Sequence, residues 1–448
     1  MEFTDTTLLA VFVLIYFALV LWFGMKGTHR STDAAAYLTA NRSMGTVFCT
    51  LSLVSTIIGG SATLGIGSLA QKNGTAAFWW LGVGAAGLLI HAWLIVPRIR
   101  RMQAVTLPEV VGEIAGAPAE RWSAFIIATS WVAITAAQFV ALYALLGSLA
   151  GPVTGQILYW VTVAGILIHT VAGGQRGVIR TDVVQALVLL IGFICTFVWL
   201  LGTESARMSS VEWQFFTPAF GLEDWVKMML LVGITYVIGP DMFSRTFSAK
   251  DTATARFAAV AAAPLLVLFS VIITLMAVMN LGAKQPVGDW LSAASPLPFI
   301  LKAMLSLGLI SALCGSADTV LLSAGGIFSR DILRRNDTRC VQRLVLLIGV
   351  VSALLVYVQG NIIKLLLSGY ALFVPGVAVP LLVSLLFSDY RFNRLCWTAG
   401  AVAGGLCGIA AGFFMAPWLT YAGMAVSALG VVLSRALALR QSEAAGSL

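Results

Sequence analysis

The stretch Leu309–Leu333 reads LISALCGSADTVLLSAGGIFSRDIL. It opens as an apolar run and closes on the polar Ser329, Arg330 and Asp331. Within it, Ala312, Gly315, Ser316 and Thr319 follow the i, i+3, i+4, i+7 spacing that shares one helix face. Asp318 stands at the edge of that face, seven residues after Ser311. Small residues, hydroxyls and one carboxylate at membrane depth suit a dehydrated small cation, because hard cations take oxygen ligands and Gly or Ala lets backbone carbonyls come close. A carboxylate in hydrocarbon is costly and faces a cavity or a partner. The same stripe would also serve plain helix packing, with Asp318 bonded to a neighbouring backbone.

Around this stretch the chain is apolar almost throughout. Of its 448 residues 59% are hydrophobic and 10% charged, and the mean hydropathy is +0.95, which describes an all-α polytopic membrane protein. Thirteen apolar segments are long enough to cross about 30 Å of hydrocarbon. They run over 6–25, 44–70, 75–97, 121–150, 154–173, 177–202, 222–240, 252–281, 294–325, 340–358, 361–388, 394–414 and 416–438, numbered here zero to twelve. Segment zero lacks a basic leader and a clear small-residue cleavage site, so a retained helix is expected. With the N-terminus outside and the C-terminus inside, all but Lys72, Arg207, Lys227, Lys284, Lys302 and Lys364 of the 27 Lys and Arg fall in inside loops. The net charge of +8 is thereby explained by topology, and no nucleic-acid partner is expected. The lipid bilayer and a small-molecule substrate are the expected partners, and a monomer would suffice. Six scattered cysteines without metal-ligand spacing argue against disulfides and metal clusters.

The chain reads as one transmembrane domain with internal symmetry. Residues 44–202 and 222–388 each hold five segments, so the second half must be inverted relative to the first; 6–25 and 394–438 are accessory. Each half opens on an interrupted helix. Segment one reads SLVSTIIGGSATLGIGSLA (52–70) and segment six reads LLVGITYVIGPDMF (230–243). Paired Gly/Pro interruptions point to a binding site at the bilayer midplane. Gly59, Gly60, Ser61, Thr63, Gln138 and Tyr236 offer a compact, neutral, hydrogen-bonding pocket there. Thr135 and Gln138, three apart on one face of segment three, suit either substrate contact or interhelical bonding. Trp79 and Trp80 fit an interfacial aromatic belt. Arg245 and Ser329–Asp331 read as loop anchors. HExxH, GxSxG and GxxxxGK[ST] are lacking, so neither an enzyme nor an organic cofactor is expected.

Several motifs, in order, resemble the sodium:solute symporter family: STDAAAYLTANRSMG (31–45), PRIRRMQAVTLPEVVGE (97–113), GGQRGVIRTDVVQ (173–185), GPDMFSRTFSAKD (239–251) and the opening stretch itself. The resemblance implies a leucine-transporter-type five-plus-five inverted repeat with alternating access, coupled to Na+ and placed in a plasma membrane such as the bacterial inner membrane. It implies a sodium site between segments one and eight, with the carbonyls of Ser55, Ile58 and Ala312 and positions Gly315 and Ser316 as ligands. The family usually has Ser at position 315, so Gly removes one oxygen and Gly315→Ser is expected to strengthen sodium dependence. A second ion site between segments five and eight is implied for Thr181, Asp182, Asp318 and Thr319. For Asp182, capping the start of segment five with Thr181 is the plainer role. No Lys or Arg is expected in the middle of the pocket-forming segments, which favours a neutral or zwitterionic metabolite such as an amino acid. A proton-coupled relative or a non-transporting solute sensor are the alternatives.

Overall fold

The computed structural model describes residues 3–25, 33–102, 104–280, 287–292 and 295–446. Lys26, His29, Arg30 and Lys284 lie outside them. The described chain is helical, with a few isolated bridges between loops. Ten of its helices are long and apolar enough to cross a membrane, where the sequence suggested thirteen segments. The difference is one of partition. Segments four and five form a single run, Pro152–Thr203, bent at Gly174, and the end of segment one continues through segment two in Ser61–Ile99. Segment zero lies in the helix Phe3–Met25, and segment one begins as the shorter helix Thr46–Ile57.

Gly174 makes its bend at φ +54, a left-handed value that favours glycine. A Cβ there would also lie 2.5 Å from the ring of Tyr37. Tyr37 in turn donates its hydroxyl to the carbonyls of Thr170 and Val171, two of the carbonyls at the end of segment four. The tyrosine of the first loop motif is thus a helix cap. The Thr-Leu-Pro-Glu motif is another: Thr106 Oγ1 accepts from Glu109 N–H at 3.3 Å, and Glu109 Oε2 accepts from Val105 N–H at 2.7 Å. Asp251 caps segment seven, and the Thr254 N–H it accepts holds its carboxyl below the usual range.

Segment eight, Phe299–Ile327, is buried from Gly308 to Leu322 and packs most extensively on segments four and five. Its glycines, alanines and serines permit that approach; Gly308 lies over the backbone of Leu189. Segments eleven and twelve meet glycine to glycine, Gly400 on Gly430 and Gly404 on Gly423. Apolar side chains such as Trp93, Ile168, Val198 and Leu433 face outward, as a lipid-facing surface requires.

Candidate functional site

Segments one and six are both interrupted within their apolar runs. Thr46–Ile57 ends with Ile58 at φ −84, ψ 77, and the helix resumes through a wide π turn, Ser61–Gly65. At the break, Gly59 N–H turns to the Ile57 carbonyl instead of the Ser55 carbonyl four residues back. Gly60 N–H goes to Gln138 Oε1 at 2.7 Å. In segment six a π turn, Met229–Gly233, leads to Ile238 at φ −128, ψ 71, and a new helix starts at Pro240. Proline suits that first position, where its missing N–H has no partner to lose.

Beside the first break, three buried oxygens have no hydrogen-bond partner among the described residues: Ser55 Oγ, Gln185 Oε1 and Asp182 Oδ1. They converge on Gly315. A Cβ built there would lie 2.1 Å from Ser55 Oγ, 2.8 Å from Gln185 Oε1 and 3.1 Å from Asp182 Oδ1. Unpartnered buried oxygens each cost roughly 1–3 kcal/mol, so a cradle of three with one negative charge fits a small hard cation. The room that glycine leaves at 315 is taken by the Ser55 hydroxyl from across the interface. Added at 315, a serine would force the Ser55 hydroxyl out of the cradle. Gln185 was missed in the sequence, although it closes the same Thr-Asp-x-x-Gln motif as Asp182.

The residues grouped by resemblance as a second ion site are divided into two networks. Asp182 Oδ2 accepts from Arg245 Nη2 at 2.7 Å and from Ser52 Oγ at 2.5 Å. The same Arg245 Nη2 donates to Thr319 Oγ1, which is 3.1 Å from Thr56 Oγ1. Arg245 Nε donates to Ser52 Oγ at 2.9 Å. Arg245 is therefore a buried residue at 1% exposure, not a loop anchor. The helix that restarts at Pro240 carries it inward, and a buried guanidinium needs its carboxylate. Asp318 belongs elsewhere: His169 Nδ1 lies 3.0 Å from its Oδ2 and Thr170 Oγ1 donates to its Oδ1 at 2.7 Å. Thr181 joins this second network through His169 Nε2 at 3.2 Å. The carboxylates of Asp182 and Asp318 thus each have a cationic or titratable partner of their own.

Between the breaks lies a central cavity of about 40 Å³. Ser61, Gln138 and Tyr236, picked out in the sequence, line it together with Ser316. Gly59 and Gly60 back it, with Gln138 Oε1 within 2.6 Å of where a Gly59 Cβ would stand. Thr63 does not reach it; its hydroxyl donates to the Gly59 carbonyl at 2.9 Å. Trp131, Tyr370 and Asp241 also line the cavity and were not foreseen. Trp80 is buried at 2% exposure, inside the helices and not at an interface.

One turn beyond the central cavity, a vestibule of about 730 Å³ opens between Leu64, Leu69, Leu231, Leu367 and Tyr421. The opposite end is closed. Thr106 Oγ1 donates to Asp331 Oδ1 at 3.0 Å, Arg330 pairs with Glu109 at 2.8 Å, and only about 30 Å³ remains between Thr106, Phe243 and Phe247.

The family model of the sodium:solute symporter family matches residues 37–408. The chain belongs to that family. Among curated symporters and their kin, it is 26% identical over 206 residues to mouse "Solute carrier family 5 member 4A", covering 45% of this chain and 31% of that protein. It is 29% identical over 196 residues to the human sodium/myo-inositol cotransporter, covering 42% and 26%. It is 25% identical over 218 residues to the sodium/pantothenate symporter of Escherichia coli (strain K12), covering 46% and 43%. The matches thus span from about a quarter to under half of these relatives' lengths. In fold, this sodium:solute symporter resembles a substrate-bound, outward-open Na+-coupled sialic acid symporter, with a TM-score of 0.77 at 15% identity over 96% of this chain and 98% of the other. It also resembles MhsT in complex with L-phenylalanine, with a TM-score of 0.53 at 14% identity over 89% and 99%.

Proposed function

We propose that this chain is a secondary active transporter that couples Na+ to the uptake of a small polar organic solute by alternating access. The observation that carries the reading is the cradle at Gly315, where Ser55 Oγ, Gln185 Oε1 and Asp182 Oδ1 stand unpartnered beside the helix break. Ser316, on the same face of segment eight, lines the central cavity, so an ion at the cradle and a solute in the cavity would share one wall. The backbone carbonyls of Ser55, Ile58 and Ala312 complete the proposed ligand set with Ser316. Sodium supplies the charge that draws these oxygens together, and it neutralises the face of Asp182 that Arg245 leaves bare. The broken helices then hold the solute between the two repeats, 44–202 and 222–388, while thirteen crossings with the N-terminus outside put the vestibule on the outer side. Neutral or zwitterionic metabolites fit the polar lining best.

The test is uptake into proteoliposomes of a labelled mixture of small polar metabolites, under an inward sodium gradient at fixed pH. Accumulation that needs sodium supports the reading; binding without accumulation would make the chain a solute sensor instead. A proton-coupled cycle is the second reading, favoured by the His169–Asp318 pair buried next to Thr170 and Thr181. Accumulation driven by a proton gradient without sodium, and abolished by Asp318→Asn, would establish it. For topology, single cysteines at Asn73 and Asp337 in a cysteine-free background should label from opposite sides of a sealed membrane.

A further inference from the structure

Three carboxylates sit among the packed helices near the two breaks, and they keep different company. Asp182 has Arg245, and Asp318 has His169. Asp241, the second residue of the helix that restarts segment six, makes no ion pair among the described residues. Its Oδ1 accepts from Trp131 Nε1 at 2.9 Å, the carboxylate also takes a hydrogen bond from the Ser323 side chain, and the residue stays partly open to the central cavity. Arg245 is one turn further along the same helix, but its guanidinium is committed to Asp182, Ser52, Ser244 and Thr319. A carboxylate in low dielectric needs a cation or a proton. Among the described residues Arg245 acts on it only at a distance and none pairs with it directly, while the cavity gives a ligand access.

The walls say what kind of cation. Around Asp241 the cavity is lined by the rings of Trp131, Tyr236 and Tyr370 and by apolar Ile134, Met242 and Val320. The cavity also carries hydroxyls and an amide, on Thr56, Ser61, Thr235, Ser316 and Gln138, but the unpartnered buried oxygens that a hard metal ion would draw together lie at Gly315 instead. An organic ammonium asks for one carboxylate and aromatic faces, which these walls offer. The space is about 40 Å³, room for a few waters at roughly 10–15 Å³ each, so the occupant is small or enters as the rings move.

We propose that Asp241 is the receptor for a substrate ammonium group, so that the transported solute is a small amine or an amino-acid zwitterion, not a neutral polyol or an organic acid. This rests on the central cavity being the solute site. In the proposal the ammonium bonds the face of the Asp241 carboxylate that meets the cavity, while Trp131 and Ser323 hold the carboxylate in place, and Gln138 and Ser61 meet the solute's other polar end. The carboxylate then loses its desolvation cost only when the ammonium is present, which makes selection against uncharged isosteres steep.

The experiment is thermal stability of the detergent-purified chain, with paired probes: glycine against glycolate, and ethanolammonium against ethylene glycol, each with and without sodium chloride. Wild type should be stabilised by the ammonium member of each pair, at concentrations at least tenfold below any effect of its partner. Asp241→Asn should lose that preference by tenfold or more while keeping the shift produced by sodium alone. Stabilisation by the isosteres as strong as by the amines, or no stabilisation by either amine, would overturn the proposal. A missing sodium shift with the amine preference intact would instead strike the sodium-coupled reading and leave this one standing. Should Asp241→Asn fail to fold, Ser61→Cys in a cysteine-free background supplies a second measure. Its labelling should be faster with a cationic than with an anionic methanethiosulfonate of similar size, and equal rates would overturn the assignment.

Discussion

At the first interruption the chain offers only neutral oxygens: the Ser55 hydroxyl, freed backbone carbonyls and the Gln138 amide over Gly60. At the second, Asp241 and Arg245 stand one turn apart on the restarted helix. Both breaks have a π turn beside them and open the backbone within an apolar span, so the backbone alone does not separate their roles. What separates them is where the charge comes from. The carboxylate that serves the first break is Asp182 on segment five, and the cation that steadies it is Arg245 from the second break. The two halves of the molecule are therefore joined by an ion pair across the proposed ion site, and the second break keeps one carboxylate free of ion pairs for the cavity. A shared backbone device can take up two loads when the sequence places its charges asymmetrically.

The largest effect should come from cutting that link. Arg245→Ala leaves Asp182 buried beside Ser52 without its cation, a change that costs about 3–5 kcal/mol. Thermal unfolding in detergent should show a correspondingly large fall in Tm, partly recovered in Arg245→Ala/Asp182→Asn. Independent, additive losses would mean that the two breaks are not coupled through this pair. Gly315→Ser comes next. The added Cβ would lie 2.1 Å from Ser55 Oγ, and overpacking of this kind costs about 1–3 kcal/mol. The sodium-induced Tm shift should move to higher sodium concentration by about tenfold or more, since roughly 1.4 kcal/mol of ligand interaction is a factor of ten. A shift to lower concentration would restore the expectation that glycine is a lost ligand.

Ser55→Ala tests the same cradle from the other helix. Removing one of three oxygens should raise the sodium concentration for half-maximal stabilisation several-fold, on the order of 1 kcal/mol. No change would take Ser55 out of the ligand set. The smallest effect belongs to Tyr16→Phe, which deletes the 2.6 Å hydrogen bond from segment zero to Ser311. It should cost about 1 kcal/mol of stability and leave the sodium response where it was. A change in sodium response would show that segment zero reaches the ion site through segment eight.

Much of the frame was readable in the chain. Hydrophobic runs located the ten long apolar helices, and the Gly59–Gly60 and Gly239–Pro240 pairs located both breaks, because backbone interruptions are written in the residues that make them. The site was readable only in part. Ser61, Gln138 and Tyr236 could be picked out as polar groups near a break. The partners could not, since a hydropathy pattern says how deep a residue lies but not which neighbour it meets. Arg245 finds Asp182 across 63 positions, and His169 finds Asp318 across 149. Gly315 is a related case: what its missing side chain leaves room for is visible only once Ser55 is seen opposite. Asp241 did leave a signal, an acidic residue directly after the second break, which reading it as part of a loop motif concealed.

Arg245 has an electrical consequence. At a membrane potential of about 100 mV, one elementary charge crossing the bilayer is worth about 2.3 kcal/mol. An ion held by Asp182 and Thr319 would travel with the solute and yield that work on every turnover. The guanidinium in its place is fastened to segment six, so whatever field it traverses on one half of the cycle it retraces on the other. Its net work per cycle is zero. A carrier with this tethered charge forgoes about 2.3 kcal/mol per turnover relative to one that binds a second mobile ion there, roughly a fiftyfold lower ceiling on the concentration ratio it can sustain at that potential.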